Sequence, residues 1–225
     1  RVFWSGIIRS LANDIGDASD IERALTSLCS KQLIRKRGRS SILNDTEYRF
    51  ESDLFMQACS DSVLQKESRS HHDKIARLLV DLKQDETNPE LVAEQYEKSG
   101  DLPQACKLFI AAAKTQMQAF NIDTVKQVLK RISGLIDGGA DLSGRRVADL
   151  LERVELRYLS GEVCRIDGSM EQALAHFDAG FKLMNETPER RVPPMRRPMD
   201  QIEVDLWNAR GWIHRLQGNF EEAHD

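Results

Sequence analysis

Three glycines, Gly100, Gly168 and Gly218, each interrupt a stretch with the hydrophobic spacing of an α-helix, and similar residues recur at fixed distances from them. A small residue stands seven positions before and five positions after each glycine, and a phenylalanine stands nine after the first two. Small residues let two helices approach closely, and an aromatic ring fills the space beside them. The pattern therefore predicts helical hairpins repeated along the chain. The predicted packing residues are Tyr96, Gly100, Ala105, Phe109 and Ala112; Gly161, Gly168, Ala173 and Phe177; and Trp207, Gly211, Gly218 and Ala223.

The distances between these glycines fit a repeat of about 34 residues. Gly100 and Gly168 are 68 positions apart, which is two periods, and Gly218 follows after 50, which is one period plus the basic, proline-rich segment 185–199. The pattern resembles the tetratricopeptide repeat. Segment 114–136 matches it poorly, and we expect it to share a helix with the preceding hairpin. A plain amphipathic helical bundle would not need a glycine flanked by small residues at the same spacing in three places along the chain.

Tetratricopeptide repeats bind a peptide or a partner helix in the concave groove that their first helices line. The residues that we predict to be exposed on those helices have mixed charge, so they indicate a protein or peptide partner without identifying it. They are Glu94, Gln95, Lys98, Arg157, Asn208 and Arg215.

The N-terminal part predicts a different architecture. Helical spacing over 2–11 is followed by a turn at 13–17, a helix from Asp20 capped by Ser19, and two extended segments, 33–37 and 48–50. Further helices are predicted at 52–65 and 68–82. The order helix, helix, hairpin, helix is that of a winged helix. A polar break at 83–89 and a change of net charge, from +2 over 1–84 to −6 over 85–225, place the domain boundary there.

The predicted fold is thus mainly α: a small winged-helix domain at 1–84, followed by a tetratricopeptide-like α-solenoid at 85–225 that is incomplete at its C-terminus. The chain is similar to the region after the ATPase core of bacterial signal-transduction ATPases with numerous domains (STAND ATPases). The stretches that carry this resemblance are RVFW, SKQLIRKR, EYRFESDLFMQACSDSVLQKESRSHHDKIARLL and LVAEQYEKSGD. Such proteins often also carry cyclase or kinase domains. The resemblance implies an upstream nucleotide-binding module, to which the winged helix joins the repeats. Relatives often have a histidine where this chain has Ser52, so no nucleotide-sensing role is carried over to that position.

Two other functions remain open: a DNA-binding transcriptional regulator with a repeat sensor domain, and a pure scaffold. Arg35, Lys36 and Arg37 are candidate phosphate contacts. However, the predicted recognition helix at 20–30 lacks an array of Arg, Asn or Gln for reading base edges, and the domain's net charge of +2 is small. We therefore expect these cations to face solvent or the ATPase module, and nucleic-acid binding is not the favoured function.

No catalytic pattern is present in the sequence, so we expect no enzymatic activity, cofactor or metal ion. There is no G-x-x-x-x-G-K-[ST] motif to hold a phosphate. The four cysteines are widely separated, which favours buried thiols in a reducing compartment over a disulfide or metal site. No apolar run approaches the roughly 18 residues of a membrane span. These features predict a cytoplasmic protein, and an N-terminal Arg1 with a C-terminus inside a helical pattern predicts a fragment of a longer chain.

Overall fold

The computed structural model describes residues 2–12, 18–42, 44–139, 144–186 and 196–219, which form a mainly helical protein. The described elements, in chain order, are β1 (Val2–Trp4), α1 (Ser5–Ala12), α2 (Ala18–Ser30), β2 (Ile34–Lys36), β3 (Glu47–Phe50), α3 (Asp53–Asp61), α4 (Gln65–Asp81), α5 (Gln84–Thr87), α6 (Pro89–Ser99), α7 (Leu102–Gln118), α8 (Ile122–Asp137), α9 (Leu150–Ile166), α10 (Met170–Glu186) and α11 (Arg196–Gln217). The chain divides into two compact units, the first made of Arg1–Thr87 with Glu94–Gly100 and the second of Asn88–Ala93 with Asp101–Asp225.

The first unit contains an antiparallel sheet of order β1-β3-β2 with helices α1 and α2 inserted between the first two strands of the chain. The prediction of helix over residues 2–4 is wrong, because Val2–Trp4 pairs with Glu47–Arg49. Three residues are too few for a helical period to be told from an extended one, and all three have high β-propensity. The ring of Phe3 stacks on Tyr48, with centroids 5.6 Å apart.

Several predicted helix limits shift by a few residues. Ser19 lies inside α2 and does not cap it. Ser52 instead caps α3, accepting a hydrogen bond from the Phe55 N–H, and α3 ends at Asp61, four residues before the expected end. The predicted loop 185–199 is shorter than expected, since α10 continues to Glu186 and α11 begins at Arg196. Pro198 falls in the first turn of α11, where its missing N–H removes no helical hydrogen bond. Residues 13–17 and 187–195 lie outside the described part of the chain.

The second unit is built from antiparallel helix pairs. Helix α7 packs against α8, and α9 packs against α10, while α7, α9 and α11 are successive neighbours. In segment 114–136, α8 packs on the preceding helix α7. A core cluster under α9, α10 and α11 includes Val154, Phe177 and Leu206, which are all fully buried.

The predicted break glycines end helices in the left-handed conformation. At Gly168, φ is +80° and the Ser169 N–H donates to the Cys164 carbonyl over 2.8 Å, which closes the last turn of α9. Gly218 ends α11 in the same way, with the Asn219 N–H donating to the His214 carbonyl over 2.9 Å. Side chains other than glycine adopt this conformation at a cost, so the sequence signal reflects a backbone requirement.

Candidate functional site

Only some of the predicted packing residues are buried at contacts between helices. Ala105, Phe109 and Ala112 are buried in α7, as are Ala173 and Phe177 in α10. Tyr96 and Gly211 are half-buried, and Ala223 lies outside the described residues. Trp207 is 42% exposed, and its ring packs on Phe181 with centroids 4.4 Å apart.

Helices α9 and α10 approach each other closely at Gly161. A Cβ atom placed on Gly161 would stand 2.2 Å from Cε1 of Phe177, so the glycine leaves the space that the ring occupies. The ring of Tyr158 lies one turn before Gly161 on α9, and its centroid is 6.3 Å from that of Phe177. The Phe177 ring therefore lies beside both Gly161 and Tyr158.

The six predicted groove residues divide between the two units, with Glu94, Gln95 and Lys98 in the first and Arg157, Asn208 and Arg215 in the second. Arg157 and Asn208 line two different cavities of the second unit. The prediction that Gln95 is exposed is wrong, because it is 8% exposed and its Oε1 lies 2.8 Å from Nδ1 of His72. Helical periodicity placed Gln95 on an outer face, but its contact with His72, 23 positions earlier in the sequence, is long-range and is not visible in that periodicity. Glu94 is half-buried, whereas Lys98 and Arg215 are exposed.

A cleft of about 260 Å³ lies between α9 and α11 in the second unit. It combines two aromatic rings with charged and amide side chains, and we call it the aromatic cleft. Its lining residues are Tyr158, Glu162, Arg165, Asp205, Asn208, Ala209 and Trp212. The residues from α9 are spaced i, i+4, i+7, which places them on one face of that helix.

The charges in the aromatic cleft are partly paired. Arg165 donates to Glu162 through Nε at 3.0 Å and Nη2 at 2.7 Å, and its guanidinium carbon lies 4.9 Å from the centre of the Trp212 ring. Burial raises the pKa of Tyr158 to about 12, and the negative charges of Glu162 and Asp205 act in the same direction. The Tyr158 hydroxyl therefore stays protonated at neutral pH and can donate a hydrogen bond. The Asp205 carboxylate accepts from Gln201 Nε2 at 3.2 Å.

The candidate phosphate contacts of the first unit are largely neutralised. Arg35 pairs with Glu51 at 2.9 Å, and Arg37 pairs with Glu47 at 2.6 Å. Lys36 is exposed on the same strand. Arg35 and Lys36 line a cavity of about 660 Å³ with Cys29, Gln32, Ile34 and Glu51. Because two of the three cations already hold carboxylates, this surface offers phosphates little net positive charge.

Glu47 is the anchor of the β2–β3 connection. Its side chain is 1% exposed and accepts hydrogen bonds from the Ser41 N–H and hydroxyl, both at 2.8 Å, as well as from Arg37. Burial acts to raise the pKa of Glu47, but these hydrogen bonds and the charge of Arg37 outweigh it and lower the pKa. Arg37 therefore has a structural partner, which sequence analysis did not identify.

Sequence analysis missed most of the aromatic cleft. Tyr158, Glu162 and Arg165 form a stripe on α9 that could have been found from spacing, but Trp212 joins them only through the packing of α11 on α9. Among the described residues, no three His, Cys, Asp or Glu side chains meet as metal ligands would. No described helix is long and apolar enough to cross a membrane.

No protein-family model, curated protein or solved structure matches this sequence.

Proposed function

We propose that this chain is a regulatory protein-interaction segment, in which tetratricopeptide-like helix pairs bind a partner and a winged-helix domain relays that binding to a nucleotide-binding module of a STAND-type ATPase. The aromatic cleft is the docking surface. The partner is a peptide or helix that presents an apolar or cationic side chain to Trp212 and Tyr158.

The observation that carries this proposal is the exposure of Trp212 in the aromatic cleft. Its side chain is 47% exposed beside the half-buried Tyr158. Trp and Tyr are the residues that most often dominate protein interfaces, because they bury a large rigid area and keep a polar atom for a hydrogen bond. Arg165 lies over the Trp212 ring, so the indole already accepts a cation within the chain.

Support for the winged helix comes from the order strand, helix, helix, strand, strand and from the antiparallel β2–β3 hairpin. The ion pairs of Arg35 and Arg37 favour packing against protein over binding to DNA phosphates. Partner binding can change the nucleotide state only if it distinguishes two arrangements of the chain. A scaffold that only brings proteins together would lack that second arrangement.

The docking proposal is tested with a displayed library of random peptides panned against the chain. We expect enriched peptides whose affinity falls about tenfold or more in Trp212→Ala, since loss of an interface Trp costs on the order of 2 kcal/mol. Phe120→Ala is the matched control, because Phe120 is 83% exposed on a different helix end and lies outside the cleft. Peptides that bind Trp212→Ala as well as wild type would refute docking in the aromatic cleft.

The relay proposal needs the longer parent protein. Nucleotide exchange is measured in that protein and in a variant that lacks residues 88–225, with and without a peptide selected above. We expect the peptide to change the exchange rate only when the repeats are present. Identical exchange in both proteins would refute the relay and support the scaffold.

A further inference from the structure

The aromatic cleft is a slot between one face of α9 and one face of α11. Its α11 residues have the spacing i, i+3, i+4, i+7, so they project from one side of that helix. They are Asp205, Asn208, Ala209 and Trp212. The slot has a volume of about 260 Å³, which is enough for one long side chain of a partner.

The two carboxylates of the cleft differ in how far the chain already engages them. Glu162 accepts two hydrogen bonds from Arg165, at 3.0 and 2.7 Å, and forms an ion pair with it. Asp205 accepts one hydrogen bond, from Nε2 of Gln201 on its own helix at 3.2 Å, and has no ion pair within the described part of the chain. The Asp205 carboxylate therefore keeps most of its acceptor positions for a partner.

Two neutral oxygen acceptors line the same cleft. Asn208 follows Asp205 by one helical turn, and its amide makes no hydrogen bond among the described residues. The Tyr158 hydroxyl also has no hydrogen bond to them, and because it stays protonated its oxygen remains an acceptor. After burial and the charge of Glu162, the charge of Asp205 is the next cause of the raised pKa of Tyr158, so this carboxylate acts on the hydroxyl.

We propose that the aromatic cleft binds a lysine side chain of the docking partner, an assignment that rests on the docking proposed above. An ammonium has three N–H donors and no acceptor, which matches the oxygens of Asp205, Asn208 and Tyr158. Charge-assisted hydrogen bonds of this kind are about twice as strong as neutral ones. The four-carbon stem of the lysine packs on Ala209 and the exposed indole of Trp212.

Other side chains fit the cleft less well. An apolar side chain would cover the Asp205 carboxylate without giving it a partner, and such a desolvated charge is costly. A partner arginine would meet a guanidinium that is already in place, since that of Arg165 has its carbon 4.9 Å from the centre of the Trp212 ring. A compact ammonium reaches Asp205 without stacking on that ring.

The experiment is an NMR titration of the ¹⁵N-labelled chain with three acetylated, amidated tripeptides, Ala-Lys-Ala, Ala-norleucine-Ala and Ala-Arg-Ala, at pH 7 and constant ionic strength. The reporter is the indole N–H signal of Trp212, assigned by its absence in Trp212→Phe. We expect a saturable shift with the lysine peptide and at least about fivefold weaker binding of the other two. Equal or tighter binding of the norleucine or arginine peptide, or a shift that does not saturate, would overturn the proposal.

The variant Asp205→Asn tests the assignment to the carboxylate, because it keeps the shape of the side chain and removes its charge. It should raise the dissociation constant of the lysine peptide by about tenfold, the effect expected for a hydrogen bond between charged groups. Glu171→Gln is the matched control, because Glu171 is an exposed carboxylate of α10 that does not line the cleft. Circular dichroism checks that both variants are folded. Equal losses in the two variants would refute recognition by Asp205.

The same probes separate this proposal from the docking proposal. Library peptides that need Trp212 but tolerate replacement of their lysine by norleucine would refute lysine recognition and leave docking intact. Binding of the lysine peptide that depends on Asp205, in the absence of any enriched library peptide, would support the lysine site and refute docking of a longer peptide.

Discussion

The seam between α9 and α10 gives a sharp test of the packing, in the substitution Gly161→Ala. The added methyl would stand 2.2, 2.6 and 2.8 Å from three carbons of the fully buried Phe177 ring. Carbon atoms in contact prefer about 3.5–4.0 Å, so the ring or a helix must move by more than 1 Å. Overpacking of this kind costs about 1–3 kcal/mol. Replacing a helical glycine by alanine gains roughly 0.5–1 kcal/mol, which leaves a net loss of up to about 2.5 kcal/mol.

The same substitution at Gly134 is the matched control. Gly134 is an exposed helical residue of α8, and a Cβ there would meet no atom within 4 Å. Gly134→Ala should therefore raise the free energy of unfolding by about 0.5–1 kcal/mol. The two alanine variants should differ by about 1–3 kcal/mol, the cost of overpacking, because the gain in helix propensity is common to both and cancels in the difference.

The assay is urea unfolding followed by tryptophan fluorescence in a Trp4→Phe background. The two remaining tryptophans, Trp207 and Trp212, both lie on α11, so the signal reports the second unit. A pure stability change moves the midpoint and leaves the slope of free energy against urea unchanged.

A double-mutant cycle with Phe177→Leu assigns the effect to the ring. The smaller side chain leaves room for a methyl, so Gly161→Ala should cost at least about 1 kcal/mol less in that background, within the range measured for residues in contact. Equal stabilisation by Gly161→Ala and Gly134→Ala, or strictly additive losses with Phe177→Leu, would show that Phe177 does not fill the space beside Gly161.

Three further predictions concern single side chains. Glu47→Gln should lower the free energy of unfolding at pH 7 by about 1–3 kcal/mol, since it removes a buried charge that accepts three hydrogen bonds. Because the folded-state pKa of Glu47 is lowered, this advantage of the wild type should be lost as the pH falls below 4.5. Urea unfolding of both proteins at pH 7 and pH 3 measures the loss. A stability difference between wild type and Glu47→Gln that is independent of pH would contradict a charged Glu47. Phe120→Gly should raise the free energy of unfolding by about 0.5–1 kcal/mol, because Phe120 is exposed at a φ of 57° where glycine is unstrained; a lower thermal midpoint would contradict this. Burial raises the pKa of Cys106 to about 11, so at pH 8 a disulfide reagent should modify the exposed Cys59 and leave Cys106 unmodified until urea unfolds the chain; equal rates would contradict its burial.

The helices of the second unit could be predicted from the sequence because their determinants are local. Hydrophobic spacing defines the buried face of each helix, and a glycine in the left-handed conformation closes α9 and α11. Strand β1 was missed because its three residues become a strand by pairing with β3, more than 40 positions away. Such a partner leaves no periodic signal in a segment this short.

The clefts could be predicted only in part, because their walls come from different helices. Arg157 and Asn208 were identified as exposed helical positions, yet they line separate cavities. Spacing gives the face of one helix, whereas the angle between two helices depends on which ridges and grooves interlock. The predicted exposure of Gln95 was wrong for a related reason. A buried polar side chain needs a hydrogen-bonding partner, here His72, and helical periodicity does not reveal that partner.

The α9–α10 seam and the aromatic cleft share one ring, and this links packing to the proposed docking. Phe177 fills the space beside Gly161, and its ring centroid lies 6.3 Å from that of Tyr158, which lines the cleft. A methyl on Gly161 should displace Phe177 and, through it, Tyr158. We therefore expect Gly161→Ala to weaken peptide binding in the aromatic cleft although residue 161 does not line it. Phe177→Leu in the same chain should restore part of the affinity, as measured by titration with a selected peptide. Gly134→Ala should leave affinity unchanged. If Gly161→Ala binds the peptide with wild-type affinity, the contact between α9 and α10 does not position Tyr158 for binding.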